Sequence, residues 1–162
     1  MKRILIIVLF LILTACAADE TVPTLPDPVP DQEINSTENG LTLTLGDNLF
    51  SESPSHIKTT LQNNSLRDYG YGDFYHIEVR VDGLWYMITY SDVVFLKNKR
   101  FTDSGSLLLS GKHAQQHFSV EALGVTLLPG EYRLVKSFLA QGEPFHEVSV
   151  AAPFSVLSLH LE

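Results

Sequence analysis

The stretch Tyr75-His76-Ile77-Glu78-Val79-Arg80-Val81-Asp82-Gly83-Leu84-Trp85-Tyr86-Met87-Ile88 reads as two β-strands joined by a tight turn. Tyr75, Ile77, Val79 and Val81 alternate with His76, Glu78 and Arg80, the period-2 pattern of a strand with one apolar face. Asp82-Gly83 then separates this run from the second one. A two-residue hairpin loop that matches strand twist needs positive φ at both positions, and Asp-Gly accommodates this.

Outward from the hairpin the pattern stays β. Leu41, Leu43 and Leu45 alternate with Thr42 and Thr44. Ile57, Thr59 and Leu61 alternate with Lys58, Thr60 and Gln62, and Asn63-Asn64-Ser65 ends that run. Residues 93–96, 107–109 and 115–120 are shorter candidates. Residues 132–139 form a predicted long strand opened by Leu128-Pro129-Gly130, but its alternation is broken, because Lys136 shares parity with Tyr132, Leu134 and Phe138. Residues 148–156 make the last strand, with Pro153 calling for an edge or a bulge. About seven short strands, without amphipathic helices or an internal repeat, predict an all-β sandwich or barrel.

Four motifs in order carry a resemblance: Asn63-Asn64-Ser65, Tyr69-Gly70-Tyr71-Gly72, Val81-Asp82-Gly83-Leu84-Trp85-Tyr86, and Leu128-Pro129-Gly130-Glu131-Tyr132-Arg133-Leu134-Val135-Lys136. Together they resemble the bacterial immunoglobulin-like domain of small lipoproteins from Gram-positive, low-GC bacteria, over about residues 57–156. The resemblance implies an immunoglobulin-like β-sandwich without a disulfide. It implies no activity and transfers no ligand residues. Tyr132 after a Pro-Gly turn fits a tyrosine corner, and Leu134 stands where an antibody domain has its second cysteine. Residues 90–114 fit the family loosely, with Lys97-Asn98-Lys99-Arg100 as a basic insertion.

The chain begins with Lys2 and Arg3, followed by ten apolar residues, 4–13. Ten residues are too few to span a bilayer as a helix but suit the core of a secretory signal peptide. Leu13-Thr14-Ala15-Cys16 then resembles the bacterial lipobox. That resemblance implies lipidation of Cys16, cleavage between Ala15 and Cys16, and a mature protein held at the outer side of the cell membrane. An ordinary signal peptide would leave one odd thiol in a secreted chain. Two acyl chains satisfy the two-signal rule for stable anchoring, at about 0.8 kcal/mol per buried CH₂.

Residues 16–40 hold Pro23, Pro26, Pro28 and Pro30 and six acids, with no Lys, Arg or aromatic residue. Proline favours extended chain and like charges repel, so this segment reads as a tether preceding a domain at residues 41–162. An edge strand hidden here is the alternative, and the density of proline argues against it.

Composition narrows the function. Of 162 residues 44% are hydrophobic and 19% charged, as expected for one folded domain. The net charge of −8 argues against nucleic acid. Removing residues 1–15 leaves nine bases against nineteen acids, or −10, of which residues 41–162 carry −4. The single cysteine excludes an intrachain disulfide and a multi-cysteine metal site.

No catalytic, cofactor or metal constellation emerges. His113 and His117 have i,i+4 spacing, but on a strand such residues lie roughly 13 Å apart, too far for one ion. His146 and His160 are isolated. Asp103-Ser104-Gly105-Ser106 reads as a turn, and no Gly-x-Ser-x-Gly elbow is present. Lys97, Lys99 and Arg100 form a small solvated patch. Trp85 is expected in or over the core. The one stretch of binding character is residues 69–75, whose rings either close one end of a sandwich or form a stacking surface. The expected function is that of a membrane-anchored, non-catalytic binding or accessory module whose partner is an envelope protein or glycan. The alternatives are a cell-wall carbohydrate-binding module using Tyr71, Phe74 and Trp85, and a hydrolase.

Overall fold

A computed structural model of the chain describes residues 21–89 and 105–158. The candidate strand at 93–96, the basic patch at 97–100, Asp103, Ser104, His160 and the Ala15-Cys16 site lie outside these residues. Among the described residues there are eleven strand segments in two sheets, where about seven were expected. One sheet contains β1 (Thr37–Glu38), β2 (Leu41–Leu45), β4 (His56–Asn63) and β9 (His113–Ser119), in that order. The other runs from β3 (Leu49–Phe50) through β11 (Glu147–Val156) to β10 (Gly130–Ala140). The far edge of β10 pairs with both β5 (Tyr69–Tyr71) and β6 (His76–Val81), which lead to β8 (Ser106–Leu108) and β7 (Leu84–Met87) respectively. No helix among the described residues is long and apolar enough to cross a membrane.

The hairpin forms as read. Val81 pairs with Leu84, and Asp82 and Gly83 adopt φ of 50° and 85°. The β2 and β4 alternations also hold: Leu41, Leu43, Ile57 and Leu61 are buried. They meet Ile77, Leu134, Phe138, Val150 and Phe154 from the other sheet in two core clusters that share Leu45 at their margins. Each such side chain contributes about 1.5–3 kcal/mol when fully buried. Pro153 stands where Ala151 and Ser155 send their N–H groups to the outer edge, toward Asn35 O and Asn48 O. The missing proline donor therefore falls at an edge, as expected.

Tyr132 makes the tyrosine corner: its hydroxyl donates to Leu128 O at 2.5 Å while its ring stacks on Phe154. Burial pushes the phenol up to about 12. Tyr132→Phe is expected to lose about 1–2 kcal/mol in urea unfolding, because it removes one bond and strands a carbonyl.

The tether reading is corrected over the described part of residues 16–40. Residues 22–29 run antiparallel along the edge of β7. Leu25 N–H donates to Met87 O, Val29 N–H to Trp85 O, and Thr89 N–H to Pro23 O, each at 2.9 Å. The prolines are tolerated because an edge strand uses the N–H groups of only some residues, and here those are Leu25 and Val29. Gln32 extends the ladder with its side chain: Oε1 accepts Trp85 N–H at 2.8 Å and Nε2 donates to Val29 O at 2.6 Å. Val22 adds an apolar anchor in the core. Farther on, Thr37–Glu38 pairs with β2. The domain therefore begins well before residue 41.

This segment also explains a buried charge. On β6 the face of His76, Glu78 and Arg80 points outward by parity, yet Glu78 is only 1% exposed. Arg133, opposite it on β10, donates from Nε to Glu78 Oε2 at 2.5 Å. Its two remaining nitrogens donate to Gln32 O at 3.0 Å and Asp31 O at 2.7 Å. His76 Nε2 stands 2.8 Å from Glu78 Oε1. One guanidinium thus closes a carboxylate on the sheet and clasps the N-terminal segment over it.

Candidate functional site

The site grows from an interruption of β10's neighbour. Val135 pairs with His76 and Leu139 with Gly70. Three residues of β10, 136–138, therefore face five, 71–75, and the surplus chain at Gly72, Asp73 and Phe74 bulges from the sheet. The core side of the bulge is held by Lys136. Its ammonium donates to Gly72 O and, at 2.8 Å, to Phe74 O. The same nitrogen lies 5.6 Å and 5.4 Å from the ring centres of Tyr71 and Phe118. Burial pulls its pKa down to about 8, partly opposed by the charge of Asp73. The parity break noted in sequence is thus an inward-pointing lysine that fixes a loop.

The outer side of the bulge borders an open depression of about 830 Å³. Its floor includes Gly70, which lies in one cross-strand row between Leu107 of β8 and Leu139 of β10. Absence of a side chain at Gly70 leaves a notch between the two leucines, partly roofed by Gln141; a Cβ there would come within 2.8 Å of Gln141 Nε2. Phe74, Asp73, Ser137 and Glu147 also line it. Such a volume falls within the range of ligand sites.

The three aromatic residues singled out in sequence have different positions. Tyr71 is half-buried, 6.0 Å from the ring of Phe138, and lines the depression with Phe74. Phe74 is 52% exposed. Trp85 lies apart from that lining, half-buried beneath the Arg133 guanidinium at 4.8 Å. The three do not form one stacking platform. Tyr69 and Tyr75 are core residues.

A family model described as the bacterial Ig-like domain matches residues 37–155. The chain belongs to the bacterial immunoglobulin-like domain family. The match starts at β1, earlier than the resemblance over residues 57–156 suggested. No curated protein shows a significant match. Members of this immunoglobulin-like family are typically non-catalytic binding or accessory modules.

Ser137 Oγ is paired with Ser149 Oγ at 2.8 Å, and no histidine lines the depression among the described residues. His113 and His117 lie on the exposed face of β9, opposite Gln62 and Lys58. Among the described residues no group of three or more His, Cys, Asp or Glu is placed to hold a metal ion. His146 bonds locally to Pro144 O. Sequence reasoning flagged residues 69–75 but missed Leu107, Leu139 and Glu147. Their shared row depends on strand register, which their local patterns do not encode.

Proposed function

We propose that the protein is an extracytoplasmic lipoprotein whose immunoglobulin-like domain is a non-catalytic binding module at the cell envelope. The observation that carries the binding reading is the open depression on a sandwich face, with its rim fixed from within by Lys136. A rigid scaffold that holds a preformed concavity lowers the ordering cost of binding.

The anchoring part of the proposal rests on the sequence: two basic residues, an apolar run of ten, and the only cysteine at the end of Leu13-Thr14-Ala15-Cys16. Intact-mass measurement of the membrane-extracted chain tests it. The expected species begins at Cys16 and carries added acyl mass. An unmodified Cys16, or residues 1–15 still attached, would refute the anchor.

Docking of residues 22–35 shortens the effective tether. Only five residues, 17–21, lie between Cys16 and buried Val22, which are six Cα–Cα steps apart. Their extended reach is about 20 Å, against roughly 85 Å for a free segment of twenty-five residues. On this reading the domain works close to the lipid surface, and its partner is membrane-proximal.

A further inference from the structure

We propose that the depression over Gly70 docks an extended segment of a partner protein that carries lysine between apolar residues. This deepens the binding-module reading and rests on it. Shape provides the first argument. Leu107 and Leu139 are 59% and 49% exposed and flank a glycine floor, so the notch between them has apolar walls, and the flexible Gln141 amide that partly roofs it must swing aside for an occupant to reach the floor. Phe74 on the bulge adds a third exposed apolar surface.

Charge provides the second. Asp73 and Glu147 are the only charged groups among the described lining residues, and both are acidic. Among the described residues Lys136 lies close by, but its ammonium is turned inward onto the carbonyls of Gly72 and Phe74. A lysine side chain combines an apolar stem with a cationic head, matching apolar walls beside carboxylates. The chain's net charge of −8 steers a basic partner toward it and opposes nucleic acid or a second copy of the same acidic chain.

Fluorescence anisotropy tests this with the full chain in detergent and two labelled peptides, acetyl-Ala-Leu-Lys-Leu-Ala-amide and its glutamate counterpart. The lysine peptide is expected to bind at least about tenfold more tightly. The exposed double variant Asp73→Asn, Glu147→Gln should erase that preference. Gly70→Leu should fill the notch and abolish binding of the lysine peptide, with the fold checked by its melting temperature. Equal binding of the two peptides, no binding of either at about 1 mM, or retention of the preference in the double variant overturns the proposal. So does a dimer in sedimentation that Gly70→Leu dissolves, since the face would then be used for self-association. Photo-crosslinking in the native envelope from Phe74 and, on the other sheet, from His117 separates the two readings. A partner captured only from His117 removes this site and leaves the binding-module reading standing.

Discussion

Arg133→Ala is expected to cost about 3–5 kcal/mol, the range for removing one partner of a buried ion pair. Arg133 is 3% and Glu78 1% exposed, so the carboxylate left behind would have little water to turn to. The variant also loses the bonds to Asp31 O and Gln32 O that clasp the N-terminal segment. Urea unfolding measures the first effect. Amide exchange at Leu25 and Val29 measures the second, and both amides should exchange faster while those of β4 are little changed below the unfolding transition. The double variant Arg133→Met, Glu78→Leu should recover most of the stability, because a hydrophobic pair carries no desolvation penalty. It should leave the clasp open. A loss under about 1 kcal/mol in Arg133→Ala would mean that the pair is solvated.

Stability should rise with pH between about 8 and 10.5 through Lys136. Burial lowers its folded-state pKa to about 8, whereas the unfolded side chain titrates near 10.5. Between these values the unfolded state binds more protons, so raising the pH favours the fold. The full effect is roughly 3 kcal/mol, since one pKa unit corresponds to about 1.4 kcal/mol. Tyr132 acts in the opposite direction at higher pH: its folded pKa of about 12 exceeds the unfolded 10.0, so stability falls as pH rises through that interval. The measurement is the difference between wild-type and Lys136→Met urea midpoints from pH 7.5 to 10. A difference that stays flat would show that Lys136 is not buried as an ammonium. At neutral pH the methionine variant removes the burial penalty but leaves the Gly72 and Phe74 carbonyls without their donor, and the bulge should loosen.

Particular residues show where sequence reading succeeds. Asp82-Gly83 fixes a hairpin because few residue pairs tolerate positive φ at consecutive positions. Tyr132 after Pro129-Gly130 places the corner because its hydroxyl bonds a carbonyl only four residues back. Lys136 declared itself as an exception to alternation, although its carbonyl partners lie more than sixty residues earlier. The proline-rich stretch misled for a definite reason: proline density reports missing donors but not which donors an edge would use.

By itself the sequence determined the all-β class, the hairpin, the corner and the family resemblance, all of which rest on local periodicity, turn stereochemistry or contacts short along the chain. The tertiary structure alone decided three other things. It laid residues 22–35 on the sheet, buried the Glu78–Arg133 pair beneath them, and aligned Leu107, Gly70 and Leu139 into one row. Each depends on which strands become neighbours and in what register. That choice is made by burial of the whole core, so no single segment encodes it.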